Sequence, residues 1–463
     1  MSLLQGLLKP ICGDARASSV GSTPPPPKTA PPPAQTPILD QIKGIAAAGG
    51  DPRAVIGKQM LFVRSQIRDK PAAFFAELRD HSPILNIGPF WLVSRFRDVE
   101  EILHRETVFG VPYLPNMTGV IGPFILSQDI TPQYDHDISA MRLAIRRDDL
   151  PRIQQIVSSH ASRIAAQLAA TGEPFDIVQN LTRVVPLRVA SEYFGFEAPD
   201  ADMMRWARAG FEEFFVNLDK VQGVRDAAVT AGAEMHASLT AQMAARRAAG
   251  VARDDVFGRL LAQQCAGDKL GFDDEGVMRT LMGCLIGMDE TTNQACNYAL
   301  LGMFHRPELL AAAQAAAKAG DDAALTAIVF ETLRFRPINP LVIRQVKQDY
   351  RLGAGEPHAT VIPKGGIVFN LTASAMLDER VVEKPTEFNP RRPASHYLHF
   401  GTGHHTCFGA YISQIQIPQI LKPLLARDGL RIAAAPEFAG EIKAFSEKVV
   451  VAVTPEAKID PPP

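Results

Sequence analysis

His399-Phe400-Gly401-Thr402-Gly403-His404-His405-Thr406-Cys407-Phe408-Gly409 is the stretch whose reading decides the fold. It sets one cysteine in a glycine-rich loop, and the apolar run from Ala410 onward reads as a helix. Small residues at 401, 403 and 409 permit turns that a side chain would forbid and let backbone approach something flat and bulky. Backbone N–H groups in such a loop, and at the helix start beyond it, stabilise a thiolate and lower its pKa. A lone cysteine in a loop is usually an inert buried thiol. The matched neighbours around Cys407 argue against that reading.

A buried thiolate needs a cation, and a haem iron supplies one. The spacing Phe-Gly-x-Gly-x-His-x-Cys-x-Gly, from Phe400 to Gly409, resembles the haem-binding loop of the cytochrome P450 family. The resemblance implies haem b (iron protoporphyrin IX) as cofactor and Cys407 as its iron ligand. It also implies that Phe400, Gly401, His405 and Gly409 line the haem.

Outward from the loop, the chain of 463 residues has length for about three domains. No composition shift follows residue 45 or so and no internal repeat is visible, which favours one large domain over 46–463. A hydrophobic content of 46% with 21% charged residues suits a substantial core. A net charge of −2 offers no general attraction for nucleic acid or an anionic membrane. Leu3, Leu4, Leu7 and Leu8 form an apolar start that Lys9 and Pro10 cut far short of the ~20 residues a membrane span needs. No signal-peptide cleavage pattern follows. Ser18 to Pro37 is rich in serine and proline, so residues 1–45 read as a disordered arm. Five cysteines, with no C-x-x-C pair, argue against a disulfide framework or a zinc site and fit a reducing cytoplasm.

Along the chain, residues 72–80 read as a helix, and Ile84–Ile87 with Phe90–Val93 read as a hairpin around Gly88-Pro89. Asp98 is the expected N-cap of a helix reaching His104. Residues 110–133 form a long apolar loop carrying Tyr113, Ile121, Phe124 and Ile125, suited either to a pocket wall or to pinning the loop on the core. From Asp149 to Ala252 the pattern is helical, with Phe211, Phe214 and Phe215 expected on one face beside Trp206. Glu275 to Phe304 is a long apolar helix despite Gly276, Gly283 and Gly287, each costing about 1 kcal/mol against alanine. Close packing or close approach of a ligand would offset that cost. Strands follow at Val342–Val346, Thr360–Ile362, Ile367–Asn370 and Lys448–Val453. The class is mainly α with a small segregated β region, which the resemblance makes the cytochrome P450 fold.

Further motifs fall in the family's order. Glu331 and Arg334 have helical i,i+3 spacing, which alone marks only a solvated surface pair. Phe388-Asn389-Pro390-Arg391-Arg392 resembles the segment that returns an arginine to that pair, so Glu331, Arg334 and Arg392 are assigned a structural cluster. His405 and Arg344 match the positions that bind haem propionates. His136 and Arg142 are candidates for a third such contact, with Arg146 as a rival, although the usual His-to-Arg spacing of four fails at Ala140. Gly287-Met288-Asp289-Glu290-Thr291-Thr292 is a polar break in an apolar helix, expensive unless used. It resembles the family's oxygen groove, in which Glu290 and Thr291 would be the catalytic pair; Met288 departs from the usual glycine. Pro418, in the helix after Cys407, is expected to kink it.

The resemblance implies a haem-thiolate monooxygenase that inserts one atom of O₂ into an apolar small molecule. No flavin or iron–sulfur motif is present, so a ferredoxin or flavodoxin-type donor with its reductase would supply electrons. A monomer with no nucleic-acid partner is expected. The alternatives are a haem-thiolate peroxygenase or hydroperoxide isomerase, and a non-catalytic haem-binding sensor.

Overall fold

The computed structural model describes residues 37–217, 220–250, 253–265, 272–439 and 445–454. The Ser/Pro-rich arm, Pro37 apart, lies outside the described residues. The folded part nevertheless begins before residue 46, a correction to the expected arm. Helix α1 (Ile38–Ala47) is followed by α2 (Pro52–Asp69) and α3 (Pro71–His81). Ile38, Leu39 and Ile42 bury one face of α1 against Met60, Phe74 and Leu78. Glu77 accepts from the Ile38 and Leu39 N–H groups at 3.0 and 2.8 Å, satisfying two free donors at the start of α1. Proline richness in the preceding residues masked this short apolar face.

The hairpin β1 (Ile84–Ile87) and β2 (Phe90–Val93) forms with the expected bounds. Helix α4 (Phe96–Leu103) starts two residues before Asp98, which is therefore not its N-cap. The buried Asp98 carboxylate instead faces His358 Nε2 at 2.9 Å, and Asp378 takes the Phe96 N–H at 3.0 Å. A distant carboxylate has displaced the local one. Next come β3 (Phe109–Gly110), α5 (Leu114–Met117), α6 (Pro132–Ala144), α7 (Leu150–Ala169) and β4 (Phe175–Asp176). Helices α8 (Val184–Glu192), α9 (Asp200–Phe211), α10 (Gln222–Ala249) and α11 (Val256–Cys265) follow. π-helical turns at Val178–Thr182 and Glu212–Val216 interrupt what the sequence suggested as continuous helix.

Helix α12 (Asp274–Phe304) is buried along most of its length and largely apolar there except from Asp289 to Gln294 and at Asn297. The Asp273 side chain caps it by accepting from the Gly276 N–H at 2.8 Å. Three of its four glycines are explained by packing, Gly302 because a Cβ there would lie 2.6 Å from the Thr332 methyl. A side chain at 276 would press on the Phe272 ring, and one at 283 would lie 2.7 Å from Phe124, whereas Gly287 faces open space. Then follow α13 (Pro307–Ala319), α14 (Asp322–Phe335), β5 (Val342–Val346), β6 (Tyr350–Leu352), β7 (Thr360–Ile362), β8 (Ile367–Asn370) and α15 (Thr372–Ala375). Helix α16 (Ala410–Leu425) runs through Pro418 and Pro423 and packs along α7, α12 and α14. The chain closes with β9 (Arg431–Ile432), β10 (Glu437–Ala439), β11 (Phe445–Lys448) and β12 (Val450–Ala452).

One sheet has the order β1-β2-β8-β5-β3, in which only β2 and β8 run parallel. Smaller sheets pair β4-β12-β9, β10-β11 and β6-β7. The architecture is mainly α, with its strands set apart from a helical core. No helix among the described residues is long and apolar enough to cross a membrane.

The apolar loop over 110–133 is held by α10, where Gly232 lets the helix meet the Val120 carbonyl. A Cβ there would sit 2.3 Å from that oxygen, whereas one at Gly44 in α1 meets nothing within 4 Å. Gly232→Ala is therefore expected to destabilise the protein by about 1–3 kcal/mol, as overpacking does. Gly44→Ala should leave it unchanged or stabilise it by up to ~1 kcal/mol through helix propensity. Urea unfolding midpoints of the two variants check the contrast.

Candidate active site

The cysteine loop is drawn tight by its own backbone. Cys407 N–H donates to the Phe400 carbonyl at 2.8 Å, and Thr406 N–H donates to that of Gly403 at 3.2 Å. Gly401 and Gly403 have φ of 65° and 76°, the left-handed region. A Cβ on Gly403 would lie 2.0 Å from the Leu103 carbonyl, so the loop presses directly on the end of α4. Glu106 accepts the His404 N–H at 2.8 Å, and Tyr134 donates its hydroxyl to the His404 carbonyl at 3.0 Å. The Phe400 ring packs 5.7 Å from that of Phe330.

The Cys407 thiol lies deep in the molecule yet keeps accessible surface, because it looks into an internal cleft. Burial pushes its pKa up, and the Gly409 N–H at the head of α16 works against that rise. Gly409 also stands close, since a Cβ there would be 3.9 Å from the sulfur. A soft sulfur held there, once deprotonated, is a donor suited to iron.

One buried cation stands beside a histidine at one side of the same loop. Arg344 is buried, donates to the Ile343 carbonyl at 2.9 Å and forms no ion pair with a carboxylate among the described residues. His405 is pushed down to about 3, first by burial and then by the Arg344 and His404 charges. Half-buried Tyr113 is close enough for its phenol to feel the Arg344 charge. A buried guanidinium beside an imidazole that resists protonation calls for an anion, so these residues fit a pair of carboxylates from a cofactor.

His136 is not brought to this cluster. It faces Asp137 at 3.2 Å and packs its ring 5.6 Å from Phe272. Tyr134, two residues earlier and therefore about 200° around the helix, takes the place beside His404 and His405, with ring centroids at 4.0 and 5.6 Å. Arg142 is exposed and acts electrostatically on Tyr134, whereas Arg146 is turned back on the Leu143 carbonyl at 3.1 Å. The break in His-to-Arg spacing at Ala140 signalled this substitution, but nothing in the pattern singled out tyrosine.

Glu331, Arg334 and Arg392 converge in the core. Arg334 grips Glu331 with two N–H groups at 3.0 and 2.8 Å, and Arg392 Nε adds a third contact at 3.1 Å. Asn389 N–H and Tyr397 hydroxyl also donate to the carboxylate, both at 2.9 Å. The two guanidiniums then reach the carbonyls of Met376, Glu383, Lys384, Pro385 and Glu387. Burial alone would raise the Glu331 pKa, but the donors outweigh it and the carboxyl is held below its usual range.

Above the cysteine, α12 turns one stripe to the cleft: Cys284, Gly287, Met288 and Thr291 keep accessible surface while their neighbours are buried. Cys284 is pushed up to about 12, by burial and then by the charge of Cys407, and it packs against the same apolar cluster as Phe408, the neighbour of Cys407. Thr291 donates its hydroxyl to the Gly287 carbonyl at 2.6 Å, a bond that competes with the helix ladder for that oxygen. Glu290 turns away into the core, where Arg183 Nη2 lies 2.9 Å and Arg208 Nη1 3.6 Å from its Oε1. Neither arginine stood out in the sequence, because each comes from a different helix-rich segment.

Phe215 bridges Tyr113 and Phe211 with ring centroids at 5.8 and 5.0 Å, and Phe211 meets Phe445 at 5.8 Å. Trp206 stands apart from this row, against Phe196 and hydrogen-bonded to Glu234 at 2.7 Å, because five residues of regular α9 turn it about 140° away from Phe211.

Residues 150–427 match the family model described as Cytochrome P450. The chain belongs to the cytochrome P450 family. The steroid C26-monooxygenase of Mycolicibacterium smegmatis is 26% identical over 401 residues, covering 79% of this chain and 86% of that one. Nocardicin C N-oxygenase of Nocardia uniformis is 29% identical over 387 residues, covering 78% and 89%. Among solved structures, cytochrome P450 CYP109Q5 from Chondromyces apiculatus aligns with a TM-score of 0.67 at 25% identity, covering 84% and 96%. This P450 is an oxidoreductase, a haem-thiolate monooxygenase, and its cofactor is haem b.

Removing one partner of a buried ion cluster costs about 3–5 kcal/mol, and Glu331→Gln is expected to do so here. The Glu331 carboxyl is held low, so its stabilisation is present above the unfolded value near ~4.3 and is lost as pH falls through the folded value. Urea titrations across the acid range should show a flatter acid limb for Glu331→Gln.

Proposed function

We propose that Cys407 ligates the haem iron and that this P450 inserts one atom of O₂ into an apolar small molecule. The supporting observation is that Cys407 and the Cys284–Thr291 stripe of α12 keep accessible surface while their surroundings are buried, with Cys284 and Phe408 packed on one apolar cluster. Bound haem supplies the oxygen chemistry, one atom going to substrate and the other leaving as water with two protons and two electrons. Arg344 and His405 hold the propionates, joined by Tyr134 and Arg142 at the rim. Phe400, Gly401 and Gly409 shape the thiolate side.

The chain's own residues then manage water and protons. Thr291 presents its hydroxyl to the cleft, and Glu290, one residue earlier, connects that position to Arg183 and Arg208 in the core. Met288 narrows the same stripe with a flexible thioether. Tyr113, Phe124 and the Phe211–Phe215 row give an apolar wall that favours a hydrophobic substrate. The relatives that act on a steroid and on nocardicin C differ too much in substrate to choose one for this chain.

Members of the family take electrons from redox partners, and a ferredoxin or flavodoxin-type protein with its reductase fits here. Leu143 and Tyr411 are exposed at 58% and 44%, and the Arg147 guanidinium lies 3.7 Å over the Tyr411 ring. With Arg142 and Arg146 they form a basic, partly apolar patch beside the start of α16, close to Cys407. Small acidic electron carriers are steered by such a patch. Free thiols fit a reducing compartment, and we place the enzyme in the cytoplasm as a single haem-binding domain. A peroxygenase or a haem sensor would leave the Glu290–Thr291 arrangement without use.

Cys407→Ala should lose the thiolate-type spectrum of the reduced carbon monoxide adduct, and Cys284→Ala should keep it; an unchanged spectrum in the Cys407 variant would sink the assignment. Thr291→Ala should keep haem and substrate binding but release reduced oxygen as peroxide, read as product formed per reductant consumed.

A further inference from the structure

Proton handling by Glu290 and Thr291 leaves Asp289, their neighbour on α12, without a role. Asp289 and Glu290 are both 0% exposed, and both address one guanidinium. Arg183 Nη2 lies 2.9 Å from Glu290 Oε1, whereas its Nε is 3.6 Å from Asp289 Oδ2. Arg183 sits at the junction of the π-helical turn and α8, and its Nη2 also donates to the Met204 carbonyl at 2.9 Å. From α9, Arg208 stands 3.6 Å from Glu290 and 2.6 Å from Glu447 of β11, the half-exposed outer end of the cluster. The charged groups acting on Asp289 are therefore Glu290 on its own helix, Arg183 and Arg208, with Glu447 offsetting the last.

Charge counting decides the state of the cluster. Arg208 is nearest Glu447 at 2.6 Å and Arg183 is nearest Glu290 at 2.9 Å, so an ionised Asp289 would have no cation of its own in the interior, which is costly. One proton on Asp289 makes the sum zero, and the looser Arg183 contact is the one to Asp289. Burial first, and the Glu290 charge second, hold the Asp289 carboxyl well above its usual range. Both oxygens of Asp289 and of Glu290, with Arg183 Nε and Asn293 Nδ2, are buried with no hydrogen-bond partner among the described residues, the arginine contacts being ion pairs outside hydrogen-bond geometry. Buried polar groups of that kind are met by ordered water, which also conducts protons.

We propose that Asp289 is a positioning residue for proton delivery, standing protonated behind Glu290 and passing its proton to that carboxylate. In the step, the O–H bond of Asp289 breaks and an O–H bond forms on Glu290. Arg183 follows the negative charge from Glu290 to Asp289, and solvent restores the proton from the Glu447 side. This rests on the reading that Glu290 and Thr291 deliver protons.

The test uses the haem-loaded wild type, Asp289→Asn and Asp289→Glu. Infrared difference spectra at neutral pH should show the carbonyl stretch of a protonated carboxylic acid that Asp289→Asn removes. Only carboxylate bands in that difference would overturn the proposal. Product per reductant should fall several-fold in Asp289→Asn, with peroxide rising, while haem content and the carbon monoxide spectrum stay unchanged; Asp289→Glu should restore most of the yield. If Thr291→Ala uncouples and Asp289→Asn does not, the role of Asp289 alone is overturned. If Thr291→Ala stays coupled, the proton reading of Glu290 and Thr291 falls, and the delivery role of Asp289 falls with it.

Discussion

Glu331 receives five hydrogen bonds from four residues, spread between α14 and the segment that leads to Cys407. The two arginines that hold it spend their remaining N–H groups on backbone carbonyls between Met376 and Glu387. That segment has little regular structure of its own, so without the cluster its carbonyls would need water inside the protein. Once it is fixed, Tyr397 and His399 follow as its extension, the latter holding the Phe330 carbonyl at 2.9 Å. The cysteine loop is then hung between this node and the end of α4, where Gly403 and Glu106 meet it. The position of the sulfur is set by charges that never touch it.

Helix α12 shows how one element serves opposite needs. Its cleft stripe, Cys284, Gly287, Met288 and Thr291, recurs at i, i+3, i+4 and i+7, which is a single helical face. The far side carries Asp289, Asn293 and Asn297, and Thr182 donates to Asn293 at 2.7 Å while Asn297 does the same. Glu290 lies between these faces. A helix with this pattern is polar where it is most buried, and the cost is borne because the partners Arg183 and Arg208 arrive from segments far away in sequence.

Local chemistry was legible in the sequence wherever one segment decided the outcome. The hairpin bounds, the strands at Val342–Val346, Thr360–Ile362 and Ile367–Asn370, and α12 to within a residue follow from periodicity and turn residues. Asp98 failed as a cap because Asp378, remote in sequence, reached the Phe96 N–H first. His136 failed because a helix position, not a residue type, decides what meets His404 and His405, and Tyr134 occupies it. Trp206 left its expected row because it stands about 140° around α9 from Phe211, so the two never shared a face. Asp289 was visible only as part of a polar break, since its meaning depends on an arginine more than 100 residues upstream.

Three groups of buried charge in this molecule are neutralised in three ways, and the means suits what each must do. Glu331, Arg334 and Arg392 compensate one another through fixed hydrogen bonds, which suits a node that has to stay still. Arg344 and His405 have no carboxylate partner within the chain among the described residues, so their site is complete only with an anion from outside it. Such a site ties cofactor binding to local order, because the ligand removes a penalty the folded chain otherwise carries. The Asp289–Glu290 pair balances when one proton joins it, and a proton is the only counter-charge able to arrive and depart during turnover. Fixed pairing, ligand pairing and proton pairing lie in that order from the node towards the moving chemistry, so the means of neutralising a buried charge marks how mobile its surroundings must be.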